Sequence, residues 1–218
     1  MSATLTDFLQ FSFIALTSLF FLVDPIAAIP TFLAVTAEQD ALHRRHMAKR
    51  AAWTCLVVLT AFAAAGKLIF RLFGITLPAF KMAGGVILLL IGLDMLRARR
   101  SLTKETPGEA AEAAAKDDVG IIPLGIPMLA GPGAISSVMV LVGQVPTLWG
   151  WQMGAILGSI TITTVVTYFV LAAASRVRQV MGETGIRILV RIMGLLLVAL
   201  AMQYFVNGIT DLGLIPKR

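Results

Sequence analysis

The 218-residue chain is 58% hydrophobic and only 14% charged, and it contains several apolar runs of membrane-spanning length, which excludes an ordinary water-soluble domain. Eighteen Lys and Arg against twelve Asp and Glu leave a net charge of +6. The basic residues cluster between the apolar runs, so they read as orientation signals and lipid-headgroup contacts and not as a nucleic-acid surface.

Six apolar segments follow one another, at approximately 8–36, 49–70, 75–97, 120–143, 150–174 and 187–208, and they predict an all-α integral membrane protein with six transmembrane helices. No Lys or Arg precedes Arg44, so the N-terminus lacks the basic region of a cleaved signal peptide and the first segment is expected to remain in the mature protein. Span one is too long for a simple crossing: about 29 residues at 1.5 Å each reach roughly 43 Å, against a hydrocarbon core near 30 Å. Pro25 and Pro30 predict a break, because each lacks an N–H and clashes with the preceding turn, and Asp24-Pro25 reads as an N-cap followed by proline at the first helical position. Asp24 either caps that half-helix or, as a carboxylate near the bilayer centre, handles substrate, proton or ion; the two roles are compatible. His43 and His46 fall among Arg44, Arg45 and Lys49, where a solvated loop is expected and a metal site is not. Cys55, the one cysteine, lies inside span two as a packed apolar side chain, so no intramolecular disulfide is expected.

Lys81 and Arg191 open spans three and six as interfacial anchors or gate charges. Asp94 near the end of span three is expected to pair with Arg97 at the interface. A polar linker at about 98–119 follows. Span four is strongly interrupted by Pro123, Gly125, Pro127 and Gly131-Pro132-Gly133, so a half-helix should start near Pro132 with Ser136 and Ser137 on its first turns. Trp149 and Trp151 fit an outer aromatic belt and Trp53 an inner one. In span five, Ser159, Thr163 and Thr167 form a polar stripe for interhelical hydrogen bonds or a water-filled path, and Gly154-x-x-x-Gly158 permits close packing. Gln203 and Asn207 share a face of span six, as packing glue or as substrate contacts.

The linker separates two related halves, about 8–97 and 120–208. Pro25-x-x-Ala28-x-Pro30 matches Pro127-x-x-Ala130-x-Pro132, and Lys81-x-x-Gly84 corresponds to Arg191-x-x-Gly194. Three spans per half make the copies opposite in orientation, so the chain is expected to be two inverted three-helix repeats with spans one and four broken near the midplane. Loops one, three and five carry twelve basic residues and the opposite side five, which predicts those loops inside and both termini outside. Unwound backbone at membrane depth is tolerated only where protein or a polar cavity satisfies it. The paired breaks are therefore a candidate binding site. Half-helix N-termini suit a carboxylate or other small anion, and exposed carbonyls suit an ammonium group or cation. The candidate site comprises Asp24, Pro25, Ala28, Pro30, Ala130, Gly131, Pro132, Gly133, Ser136, Gln203 and Asn207. No phosphate loop, Gly-x-Ser-x-Gly or His-Glu-x-x-His occurs, so neither an enzyme nor a bound cofactor or metal is expected.

Asp24-Pro-Ile-Ala-Ala-Ile-Pro30, Gly84-Gly85, Pro127-Met-Leu-Ala-Gly-Pro-Gly133 and Arg191-Ile-Met-Gly through Gln203 and Asn207-Gly208 together resemble the MarC family of bacterial inner-membrane proteins, over nearly the whole chain. The family usually has Gly at the position of Ala27, so the break is bulkier here. The resemblance implies a six-helix protein of the bacterial inner membrane, with periplasmic termini on the charge count above. It also implies transport of small neutral amino acids such as glycine and alanine. A coupling proton or sodium ion and a homo-oligomer are separate expectations, which the resemblance does not supply. Export of another small metabolite and a non-transporting scaffold are the alternatives.

Overall fold

The computed structural model describes residues 5–37, 39–97, 124–146 and 150–214, and every regular element among them is helical. The expected linker at 98–119, the first residues of span four, Trp149, Lys217 and Arg218 lie outside the described residues. In chain order the helices are α1 (Leu5–Val23), α2 (Ala28–Val35), α3 (Ala41–Phe73), α4 (Leu77–Leu96), a wide π-type turn (Leu124–Leu129), α5 (Pro132–Gln144), α6 (Trp151–Ala172) and α7 (Ala174–Asp211). Five of them, α1, α3, α4, α6 and α7, are long and apolar enough to cross a membrane, and α5 is a shorter apolar helix of 13 residues. Large apolar side chains such as Phe13, Leu68, Phe169 and Leu195 are more than half exposed, as expected of helices that present their outer faces to lipid.

The helix ends follow local chemistry. Asp40 caps α3 by accepting from the His43 amide at 2.7 Å, so His43, Arg45, His46, Lys49 and Arg50 are exposed positions on the first turns of a 33-residue helix, where a loop was expected. Gly74 ends α3 in left-handed backbone (φ 62), with the Ile75 amide reaching back to the Phe70 carbonyl. Thr76 then caps α4 and Pro78 sits in its first turn. Gly182, at φ 65, interrupts α7, so the basic stretch expected as loop five is a short helix followed by the long one.

Side-chain bridges sort the connections into two ends. Arg44 donates to the carbonyls of Thr36 and Ala37 and to the Ser175 hydroxyl, joining the chain after α2 to the start of α7. At the other end Lys67 donates to the Val145 and Pro146 carbonyls after α5. There Lys81 also pairs with Asp211 at 2.6 Å, which gives this charge a protein partner. Trp151 packs against Phe8 of α1 at a tilt and against Phe11 edge-on at that end. Asp94 and Arg97 form no ion pair with each other: Arg97 is the exposed residue that closes α4.

The most extensive helix contact is α4 against α7, and small residues at seven-residue spacing make it. A Cβ at Gly208 would lie 3.1 Å from the Pro78 carbonyl, one at Gly85 3.1 Å from the Ala201 carbonyl, and one at Gly92 2.9 Å from the Gly194 carbonyl. The reversed order shows that the helices run antiparallel, and the missing side chains let their backbones touch. Gly92→Ala is expected to wedge the pair apart at Val198, whose Cγ2 would sit 2.8 Å away, lowering stability by about 2 kcal/mol. Thermal unfolding in detergent measures it, and an unchanged midpoint contradicts the close seam.

Candidate functional site

The first break is built around Asp24. The α1 helix stops at Val23, and Asp24 takes positive φ (50°), a conformation that Asp and Asn adopt far more readily than bulky residues. Its amide still donates to the Phe20 carbonyl, its own carbonyl accepts from Ala28, and its Oδ1 accepts from the Ala27 amide at 3.2 Å. Asp24 is only 1% exposed, and Leu22, Val23, Ala28 and Ile29 on either side of it in the chain are buried too. The carboxylate thus organises the turn that launches α2, while Ala27, the N-cap of α2 itself, contributes no side-chain cap.

The second break is the π-type turn and the start of α5. Ile126 is extended (φ −133, ψ 129) and the Ala130 amide donates five residues back to the Gly125 carbonyl, so the backbone is unwound before α5 begins at Pro132, as the sequence predicts. Gly131 is the N-cap and has no side chain to accept from the first turn. Helices α3 and α4 carry such caps in Asp40 and Thr76; α2, α5, α6 and α7 do not. Gly131, Gly133 and Ala134 are buried. A buried helix start with uncapped amides offers donors and partial positive charge to an anion.

The two breaks are neighbours. The π-type turn touches α2, and a Cβ at Gly133 would lie 3.7 Å from Leu22 Cδ2 of α1 and 3.0 Å from Leu88 Cδ2 of α4. One turn further along α5, Ser136 and Ser137 are buried. Gly84 leaves room beside them: its added Cβ would stand 3.3 Å from Ser136 Cβ and 3.6 Å from the Tyr204 ring. Tyr204, which sequence reasoning missed, therefore joins Ser136 in the interior; its signal is the buried spacing Leu197, Ala201, Tyr204, Gly208 along α7.

Of the sequence-predicted residues, the structure gathers Asp24, Pro25 and Ala28 at the first break and Ala130, Gly131, Pro132, Gly133 and Ser136 at the second. Pro30 is exposed and opens onto a surface cavity with Arg178, Glu183 and Arg187. Gln203 and Asn207 are also exposed, bonded to each other at 2.8 Å on the outer face of α7. In α6, Ser159, Thr163 and Thr167 are all buried, but Ser159 and Thr167 donate to carbonyls of their own helix, where interhelical bonds or a water-filled path were expected. Gly154 and Gly158 have open space around them and make no close contact.

Residues 9–212 match the MarC family, described as MarC family integral membrane proteins. The chain belongs to that family. The UPF0056 membrane protein MJ1677 of Methanocaldococcus jannaschii is 40% identical over 201 residues, covering 92% of this chain and 97% of the relative. A UPF0056 membrane protein of Aquifex aeolicus is 35% identical over 91% and 92% of the two chains. YhcE of Escherichia coli K12 is 33% identical over 88% of each. No solved structure matches. This MarC protein is thus a multi-pass integral membrane protein, with two neighbouring breaks at which Asp24, Ala28, Gly131 and Gly133 are buried.

Proposed function

We propose that this MarC protein is a secondary transporter of small neutral amino acids of the glycine and alanine type, working by alternating access in the inner membrane. The observation that carries the proposal is the buried start of α5, whose N-cap Gly131 has no side chain, in a bundle that also buries the Asp24 carboxylate at the first break. A zwitterion needs donors for its carboxylate and an acceptor for its ammonium. The amides at Gly133 and Ala134 suit the first, and Asp24 suits the second or carries a coupling proton. Leu22 and Leu88 pack closely on Gly133, which favours a substrate with almost no side chain. Two inverted three-helix halves remain the architecture we favour. It accords with the antiparallel contact of α4 and α7, the third helix of each half, across the Gly92 and Gly194 seam.

Purified protein in proteoliposomes, given labelled glycine or alanine under proton and sodium gradients, tests the proposal. Saturable, protein-dependent counterflow is expected. Absence of flux under every gradient, from protein demonstrated to be folded and inserted, refutes it.

A further inference from the structure

The outer face of α7 holds a polar feature that lipid does not satisfy. Arg191 and Asp211 bracket the apolar part of α7 and are twenty helical steps apart, about 30 Å, the thickness of a hydrocarbon core. Gln203 lies eight steps inside Asp211, about 12 Å deep, and it is exposed, as is Asn207 one turn nearer the surface. Gln203 Nε2 donates to Asn207 Oδ1 at 2.8 Å, and this is the one hydrogen bond of either side chain among the described residues. The Gln203 oxygen and the Asn207 amide N–H groups therefore face outward. Acyl chains offer them nothing, so an occupant with both donors and acceptors at that depth is required.

We infer that this face of α7 is the contact with a second copy of the chain. A carboxamide donates and accepts at once, so the Gln203 and Asn207 pair is complementary to its own image across a two-fold axis along the membrane normal. Ala199, one turn from Gln203 on the same exposed face, lets the two backbones approach. Ala199 and Gln203 also border a groove between α1 and α7, lined further by Thr17, Ser18, Phe21 and Leu200 and about 320 Å³ in volume, which has room for a protruding side chain of the partner copy. The exposed glycines of α6, Gly154 and Gly158, form a competing face with small residues but no unsatisfied polar group.

The test uses full-length protein in which Cys55, the sole and buried cysteine, is changed to Ala. Single cysteines are then placed at Ala199 or Gln203 on the proposed contact, and at Gly158 or Val86 on other lipid-facing surfaces. Under oxidation in native membranes, covalent dimers are expected to form at 199 and 203 at least about tenfold faster than at 158 and 86. Equal rates at all four positions, or crosslinking dominated by Gly158→Cys, overturn the inference. Separately, the Gln203→Leu, Asn207→Leu double variant is expected to weaken energy transfer between labelled copies diluted in liposomes by about tenfold in apparent dissociation constant. An unchanged constant removes the carboxamides as the reason for pairing.

Discussion

Asp24→Asn is expected to leave the protein folded and to reduce glycine and alanine counterflow by more than about tenfold, whereas Asp24→Ala is expected to lose both flux and stability. Asparagine tolerates the left-handed backbone that Asp24 adopts at φ 50, and its side-chain oxygen still accepts from the Ala27 amide. What it lacks is the negative charge and the proton-binding site. Alanine loses the Ala27 hydrogen bond, which costs about 1 kcal/mol by analogy with helix caps. It also strains the positive φ by about another 1–2 kcal/mol, so its melting temperature should fall by several degrees while that of the Asn variant stays close to the parent. Counterflow and thermal unfolding on the same preparations separate the outcomes. If the Asn variant transports at the parental rate with the same gradient dependence, Asp24 is a turn-forming cap and nothing more, and the carboxylate has no part in substrate or proton handling.

The positions of both breaks were legible because proline and glycine act through backbone sterics, which need no partner to be inferred. Asp24-Pro25 and Gly131-Pro132 mark where α1 ends and α5 begins to within a residue or two. Spans three and five were equally plain, since α4 and α6 end within two residues of the apolar runs that announced them. The extents of α3 and α7 were not, because their charged ends continue helical beyond the apolar stretch: Asp40 nucleates the first, and the second resumes on both sides of the break at Gly182. Side-chain direction was the least accessible property. Gln203 and Asn207 attracted notice as polar letters in an apolar run, yet α7 turns them outward and buries Tyr204 instead. The orientation follows from Gly194, Ala201 and Gly208, whose seven-residue spacing fixes the face that meets α4. A stripe of small residues thus gave more information about which way the helix points than its polar residues did.

The second large effect is expected at Gly131. Its backbone (φ −79, ψ 172) is open to any residue, so the constraint is steric: an added Cβ would lie 2.6 Å from the Pro127 carbonyl oxygen and 3.6 Å from that of Met128. Both obstacles are backbone within the π-type turn, and neither has a rotamer to change. Gly131→Ala must therefore displace the turn from the start of α5, closing or skewing the uncapped helix end that the proposed substrate carboxylate would occupy. A loss of about 3 kcal/mol and of counterflow is expected. Two neighbouring tests give the scale. Gly133→Ala meets Leu88 Cδ2 at 3.0 Å, a side-chain terminus that can rotate aside, so about 1 kcal/mol is expected. Gly158→Ala has nothing within 4 Å and should be neutral in stability. Thermal unfolding of the three variants should rank them in that order. A Gly131→Ala protein as stable as Gly158→Ala would mean that the turn relaxes without resistance, and a break so compliant does not hold the uncapped amides in a fixed place for a substrate.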